Sequence, residues 1–218
     1  MTKKTILVSS KDAFTGAMLV NIVEKAHIGS ICSYCSDGPT TLQNIERFHP
    51  QFIVLDLFLP RMNGISILRE MKRQQKSPLS LCFCRRLNKV LGVKAVKNGA
   101  TGLIDYRSNP EEFRRSIEKT SRGIKTYPGE IQELLDDKDF EICPQKYTKI
   151  TTRQSQILEH VSQGKSNKEI SWILDIHLKT VEKHKNRLRE KLGLNSMAEL
   201  VHYAIRNGIT EKDEGIDM

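Results

Sequence analysis

The chain has 218 residues and a formal net charge of +9 at pH 7, a length that suits one large domain or two ordinary ones. It contains no run of about 18 apolar residues, which excludes a helical membrane span. The amino terminus passes from MTKK straight into ILV and then polar sequence, without the apolar core of a signal peptide, so a soluble cytoplasmic protein with no membrane partner is expected.

From the amino terminus, β-like and helical runs alternate. Thr5–Val8, Ile28–Tyr34, Phe52–Leu55, Leu79–Cys84 and Gly102–Ile104 read as strands. Between and after them, Ala13–Lys25, Thr40–Phe48, Gly64–Gln74, Lys89–Asn98 and Pro110–Ser121 read as helices. Five such β-α units predict an α/β domain over 4–122, a doubly wound five-stranded parallel sheet with its site at the carboxyl ends of the strands. Cys32 and Cys35 form a C-x-x-C, but on a strand that spacing sends the thiols to opposite faces. No second pair has metal-ligand spacing, so buried or edge thiols are expected rather than a metal or redox centre.

Residues 123–147 form an acidic linker with a short helix expected near Glu130–Leu135. A flexible tether is the first reading, and a negative strip that masks a basic domain the second. From Ile150 to Gly208 the sequence predicts four short amphipathic helices, part of an all-α domain over 148–213. Thr151 with Gln154, Ser166 with Glu169 and Ser196 with Glu199 fit the capping box, and Gly164, Gly193 and Gly208 fall where helices stop. Only Asp175, Ile176 and His177 separate the second helix from the third, the turn length of a helix-turn-helix.

With Val181 taken as the inward direction of the third helix, Leu188 and Leu192 lie beside it, while Lys179, Lys183, Asn186 and Glu190 point outward. Thr180, Glu182 and Arg187 flank that outer stripe. A stripe of donors and acceptors suits the major groove, where Lys and Asn can read purine edges. Ordinarily such a face is merely solvated, but here the short turn and the capped neighbours favour DNA.

The segment resembles the LuxR-type DNA-binding domain of bacterial transcription regulators, with Ser166, Asn167, Lys168, Glu169, Ile170, Thr180, Val181, His184, Lys191, Leu192 and Gly193 in the family pattern. The resemblance implies that Thr180–Leu192 is the recognition helix, Asn167–Leu174 the scaffold helix and the last helix a dimer contact. It places the base contacts on Glu182, Lys183 and Asn186. His177 stands where a serine cap is usual and Asp175 where a turn glycine is, a position that Asp tolerates. Trp172, on the scaffold helix, is expected to pack against the other domain or to cover the core edge.

Phe52–Leu55 runs into Asp56 and then LFLPRMNG, which resembles the receiver domain of two-component response regulators. Together the halves are similar to the NarL/FixJ family, and the expected sheet is then receiver-like and flavodoxin-like. The resemblance makes Asp56 the phosphoacceptor position. Phosphoryl transfer to it needs an ion held by acidic residues, with a positioned hydroxyl and cation. Here the acid pair is replaced by Ser9 and Ser10, the hydroxyl position falls on Cys84, and the lysine position on Tyr106. Asp12 could in principle reach a metal, but it is better placed to cap the first helix.

The resulting expectation is a pseudo-receiver with no cofactor and no Mg2+, in which Lys11, Arg85 or Arg86 pairs with Asp56 in place of metal. Met1–Arg122 carries 20 basic and 10 acidic residues, against 12 and 8 in Thr148–Asp213. That surplus suggests an acidic partner or added phosphate contacts to DNA. The expected function is a sequence-specific, homodimeric regulator of transcription on double-stranded DNA, with RNA polymerase a candidate partner. Control by phosphorylation of Asp56, or by a ligand or partner of the pseudo-receiver, remains as an alternative. No nucleophile–base pairing, metal constellation or phosphate-binding glycine loop supports an enzyme.

Overall fold

The computed structural model describes residues 4–74, 78–85, 87–136, 150–207 and 209–210, and the chain divides into two compact units, Met1–Phe140 and Glu141–Met218. In the first unit, apolar runs become strands and the short polar residues that follow them start helices. β1 (Lys4–Ser9) is followed by Asp12, whose carboxylate accepts the Thr15 amide at 2.8 Å and opens α1 (Ala13–Lys25). Asp12 is thus the helix cap expected of it. β2 (Gly29–Cys35) leads to Asp37, which caps α2 (Gly38–Phe48) in the same way. β3 (Phe52–Asp56), α3 (Gly64–Arg73), β4 (Leu79–Cys84), α4 (Lys89–Lys97), β5 (Gly102–Asp105) and α5 (Pro110–Ser121) follow, the three helices capped by Asn63, Asn88 and Asn109.

The strands are parallel in the order β2-β1-β3-β4-β5. This is the predicted receiver-like fold, with its crevice where the order reverses between β1 and β3. Central β3 is buried on both faces, as a parallel sheet covered by helices on each side requires. On one face Val8, Val54, Leu81, Phe83 and Ile104 pack with Phe113 and Ile117 of α5, and the Phe83 and Phe113 rings meet edge-on at 6.0 Å. β2 carries a register shift against β1 between Ile6 and Leu7, whose partners are Ile31 and Ser33. Cys32 falls in that break and is half-buried, while Cys35 is buried and its sulfur accepts from the Asn44 amide.

The linker reading needs correction. Residues 124–136 do not leave the sheet unit as a tether. Thr126 bridges to Gly102, and the Tyr127 hydroxyl donates to the Ala100 carbonyl at 2.9 Å. α6 (Gly129–Asp136), two residues longer than the expected helix, buries Ile131 against α4. Gly92 makes room for it, since a Cβ there would lie 2.2 Å from Ile131 Cδ1. Acidic composition disguised a docking helix because one apolar side chain on the right face suffices. Residues 137–147 lie outside the described residues, as do 148–149, 208 and 211–213.

The second unit comprises α7 (Thr152–Ser162), α8 (Asn167–Ile173), α9 (Leu178–Leu192) and α10 (Met197–Arg206). The capping boxes at Thr151 and Ser166 are complete. At Ser196 only half the box forms, because Glu199 turns its carboxylate to the Asn195 amide at 2.7 Å instead of to that of Ser196. Gly164 and Gly193 take positive φ just past α7 and α9. Ile157, Val161, Ile170 and Val181 form one core cluster and Leu158, Leu188, Leu200, Ala204 and Ile209 another.

Candidate functional site

Asp56 ends β3 in the crevice and is 4% exposed. Its two oxygens accept from backbone amides, Oδ1 from Phe58 at 2.8 Å and Oδ2 from Lys11 at 3.2 Å. Gly64 permits this depth, since a Cβ there would sit 2.7 Å from the Asp56 carbonyl oxygen. The Ser9 hydroxyl is buried and paired with Thr41 at 2.6 Å, and that of Ser10 faces the Asp12 carbonyl. Asp12 spends a carboxylate oxygen on its cap. Among the described residues no group of three or more His, Cys, Asp or Glu side chains could hold a metal ion.

The β4 position needs a second correction. Asp56 is in register with Phe83, and in a parallel pair registered residues share a face. Phe83, not Cys84, therefore stands beside Asp56 on β4, and Cys84 belongs to the opposite parity. Tyr106 follows β5 on the Asp56 side, packs against the Phe83 cluster and accepts from the Thr15 hydroxyl at 3.3 Å. Lys11 and Arg85 stand at the crevice, with Lys11 Nζ 6.0 Å from the Phe58 ring centre and both charges favouring ionised Asp12. Arg86 lies outside the described residues.

Tyr34 escaped the sequence reading. Its hydroxyl reaches from β2 across the start of α1 to donate to the Ser10 and Asp12 carbonyls at 3.0 and 3.2 Å. Burial, with the charges of Asp12 and Asp56 nearby, raises its pKa above 10.0. Gly16 makes space for the ring, as a Cβ there would meet Tyr34 at 2.3 Å. The Asp56 carboxylate thus sits near backbone amides and aromatic side chains, with Lys11 and Arg85 also at the crevice.

In the second unit, side chains lock the α8–α9 turn. Asp175 adopts φ +49, the left-handed turn conformation anticipated for it. Ser171 donates its hydroxyl to the Ile176 carbonyl at 2.5 Å, and Arg153 on α7 donates to the Leu174 carbonyl at 2.6 Å. His177 opens α9 without a side-chain cap, and Lys185 ties α9 to Asn167 at 2.7 Å. Val181 and Leu188 are fully buried, which leaves Lys179, Glu182, Lys183, Asn186 and Arg187 exposed and Thr180 half-exposed. Asn186 Oδ1 accepts from Arg189 at 2.7 Å. Trp172 is 86% exposed and does not cover the core edge.

Two family models match the chain. The response regulator receiver domain covers residues 6–118, and the luxR family of bacterial regulatory proteins covers residues 148–204. The chain belongs to the response regulator family. This response regulator carries a LuxR-type DNA-binding domain and is a transcription regulator rather than an enzyme. It is 24% identical over 193 residues to the DNA-binding transcriptional activator EvgA of Escherichia coli, covering 88% of the chain and 93% of that relative. It is also 24% identical over 168 residues to the Fimbriae Z protein of Salmonella typhimurium, covering 77% of the chain and 80% of the relative.

Among solved structures, RcsB of Salmonella enterica serovar Typhimurium bound to promoter rprA matches with a TM-score of 0.59 at 16% identity, over 93% of this chain and 98% of that one. A structure of two RcsB dimers on two parallel DNAs matches with a TM-score of 0.58, also at 16% identity, over 94% and 99%. These likenesses carry the fold. Among the described residues no helix is long and apolar enough to cross a membrane.

The DNA-binding unit of this response regulator should be acid-sensitive. Burial lowers the pKa of His160 on α7 below 6.5, despite an opposing hydrogen bond that its ring donates to the Gln163 side-chain oxygen. Burial also lowers that of His184 on α9, aided by Arg153 on α7 and by Arg187 and Lys183 on its own helix. Among the described residues His184 Nδ1 is buried without a hydrogen-bond partner. Both rings bind a proton less readily in the folded unit, so below 6.5 the unfolded chain takes up more protons than the folded one. The contribution is present above 6.5 and is lost as pH falls toward the folded values. Thermal unfolding followed from about pH 7.5 to about pH 5 should show the helical unit's midpoint falling on acidification. A midpoint that rises would contradict the assignment.

Proposed function

We propose that this chain is a sequence-specific DNA-binding regulator of transcription whose receiver works without phosphorylation of Asp56 and without Mg2+. The observation that carries this reading is the acceptor crevice. One carboxylate, already bonded to two amides, stands with two serines, a phenylalanine and a tyrosine in the positions where relatives keep ion-binding and charge-neutralising groups. Mg2+ demands a near-octahedral set of oxygen ligands, and this donor set does not fit it. Lys179, Thr180, Glu182, Lys183, Asn186 and Arg187 form the reading and phosphate-holding face of α9.

The active species is a homodimer, because one short recognition helix reads few bases and paired half-sites raise affinity and specificity. The related RcsB structure with dimers on DNA supports that reading, and RNA polymerase is the partner through which such a regulator would act. Selection of bound fragments from genomic DNA tests the proposal. Two related half-sites about one helical turn apart, or a multiple of it, are expected, and Asp56→Asn should recover the same sequences with the same affinity. Fragments without shared sequence would contradict sequence-specific reading.

A further inference from the structure

α9 sets a carboxylate inside its basic reading face. Glu182 is exposed, one turn before Asn186 and beside Lys179 and Lys183, on the side of the helix that looks away from buried Val181 and Leu188. The cations that follow it along the same flank are engaged elsewhere. Lys185 donates to Asn167 Oδ1 at 2.7 Å, and Arg189 donates to Asn186 Oδ1 at 2.7 Å. Among the described residues neither closes an ion pair on Glu182, whose charge reaches Lys185 from a distance. Arg189 thereby occupies an acceptor site of Asn186, while Lys179, Lys183 and Arg187 carry donors and no acceptor. Glu182 is the anionic acceptor of the stripe.

For affinity alone a carboxylate here is unfavourable. It faces a polyanion and weakens the attraction that its basic neighbours supply. Exposed, it contributes little packing. What it can do is discriminate. In the major groove cytosine presents its N4 amino group, a donor that a carboxylate accepts. Guanine presents two acceptors, thymine an acceptor and a methyl group, and adenine an amino group with the N7 acceptor next to it. Against those edges the carboxylate loses its water and meets lone pairs, and such a repulsive contact sharpens the choice of partner. The place on the helix fits as well, since the N-terminal part of a recognition helix meets the base edges. Glu190, the other acid of α9, stands about 12 Å farther along the axis.

We propose that Glu182 sets the operator preference of α9 by accepting a hydrogen bond from the N4 amino group of one cytosine and by excluding the other bases at that position. This rests on the DNA reading by α9 proposed above. The test selects bound duplexes with the full-length parent and with Glu182→Ala, then titrates single-base variants of the position at which the two selections differ. The parent should hold cytosine there and discriminate by roughly five- to a hundredfold against the other bases. Glu182→Ala should lose that discrimination and bind scrambled duplex more tightly than the parent does. Replacing the cytosine by 2-pyrimidinone, which lacks the 4-amino group, should weaken the parent by a similar factor and leave Glu182→Ala unaffected. The thermal midpoint of the variant should match that of the parent.

If Glu182→Ala tightens every duplex alike and keeps each preference, the carboxylate merely repels the backbone and the proposal is overturned. A relaxed position that held guanine, thymine or adenine in the parent overturns it too. Unchanged selection by Glu182→Ala, beside weakened operator binding by Lys183→Ala, removes this inference and leaves DNA reading by α9 intact. If the parent shows no sequence preference, that reading fails and the inference fails with it.

Discussion

Replacing Lys183 and Asn186 together by alanine should cut operator affinity by roughly thirty- to a thousandfold, about 2–4 kcal/mol, since each base-reading contact discriminates by about 1–3 kcal/mol. Both side chains stand on the exposed stripe of α9, opposite Val181 and Leu188 in the core. Their loss costs no packing, so the folded helical content and the thermal midpoint should hold. Lys183→Ala alone should lower operator affinity. Arg187→Ala, at the edge of the stripe, should weaken all sequences alike, as a phosphate contact does. Competition titrations with operator and scrambled duplexes separate these outcomes. Unchanged preference in the double variant would show that another face reads the bases.

The second large effect comes from beneath the same helix. Leu188→Ala removes a fully buried side chain from the cluster that joins α9 to Leu158 on α7 and to Leu200 and Ala204 on α10. Large-to-small changes at such positions cost about 2–5 kcal/mol, and small units begin with little to spare. The expected result is a helical unit largely unfolded near body temperature and a chain that no longer binds its operator. The receiver unit shares none of that cluster, so the amide signals of the Asp56 crevice should stay in place. Amide spectra of the full-length variant read both units at once, and loss of the crevice signals would mean that the units depend on one another more than their separate cores imply.

Legibility in the sequence followed the range of the interactions. The caps at Asp12, Thr151 and Ser166, the buried run of β3 and the left-handed turn at Asp175 are set within a few residues, and the sequence reading of them agrees with the structure. Asp56 was legible for the same reason, as the end of an apolar strand before a proline and glycine turn. β4 was not. In Leu81-Cys82-Phe83-Cys84 nothing local marks which parity faces the acceptor, and only the register with β3 puts Phe83 there. The docking of α6 and the reach of Tyr34 depend on Gly92 and Gly16, distant glycines whose missing side chains leave the space. Arg153 and Ser171 were passed over because their partners are backbone carbonyls in the turn, and carbonyls have no sequence signature.

On the proposed account the receiver fold is retained, its phosphorylation chemistry is lost and α9 reads DNA regardless. The most direct test incubates the full-length chain with a small phosphodonor and Mg2+, measures its intact mass, and titrates the operator with the same sample. The account predicts unmodified mass and unchanged affinity. A stoichiometric phosphoryl adduct that disappears in Asp56→Asn, accompanied by tighter operator binding, would contradict it.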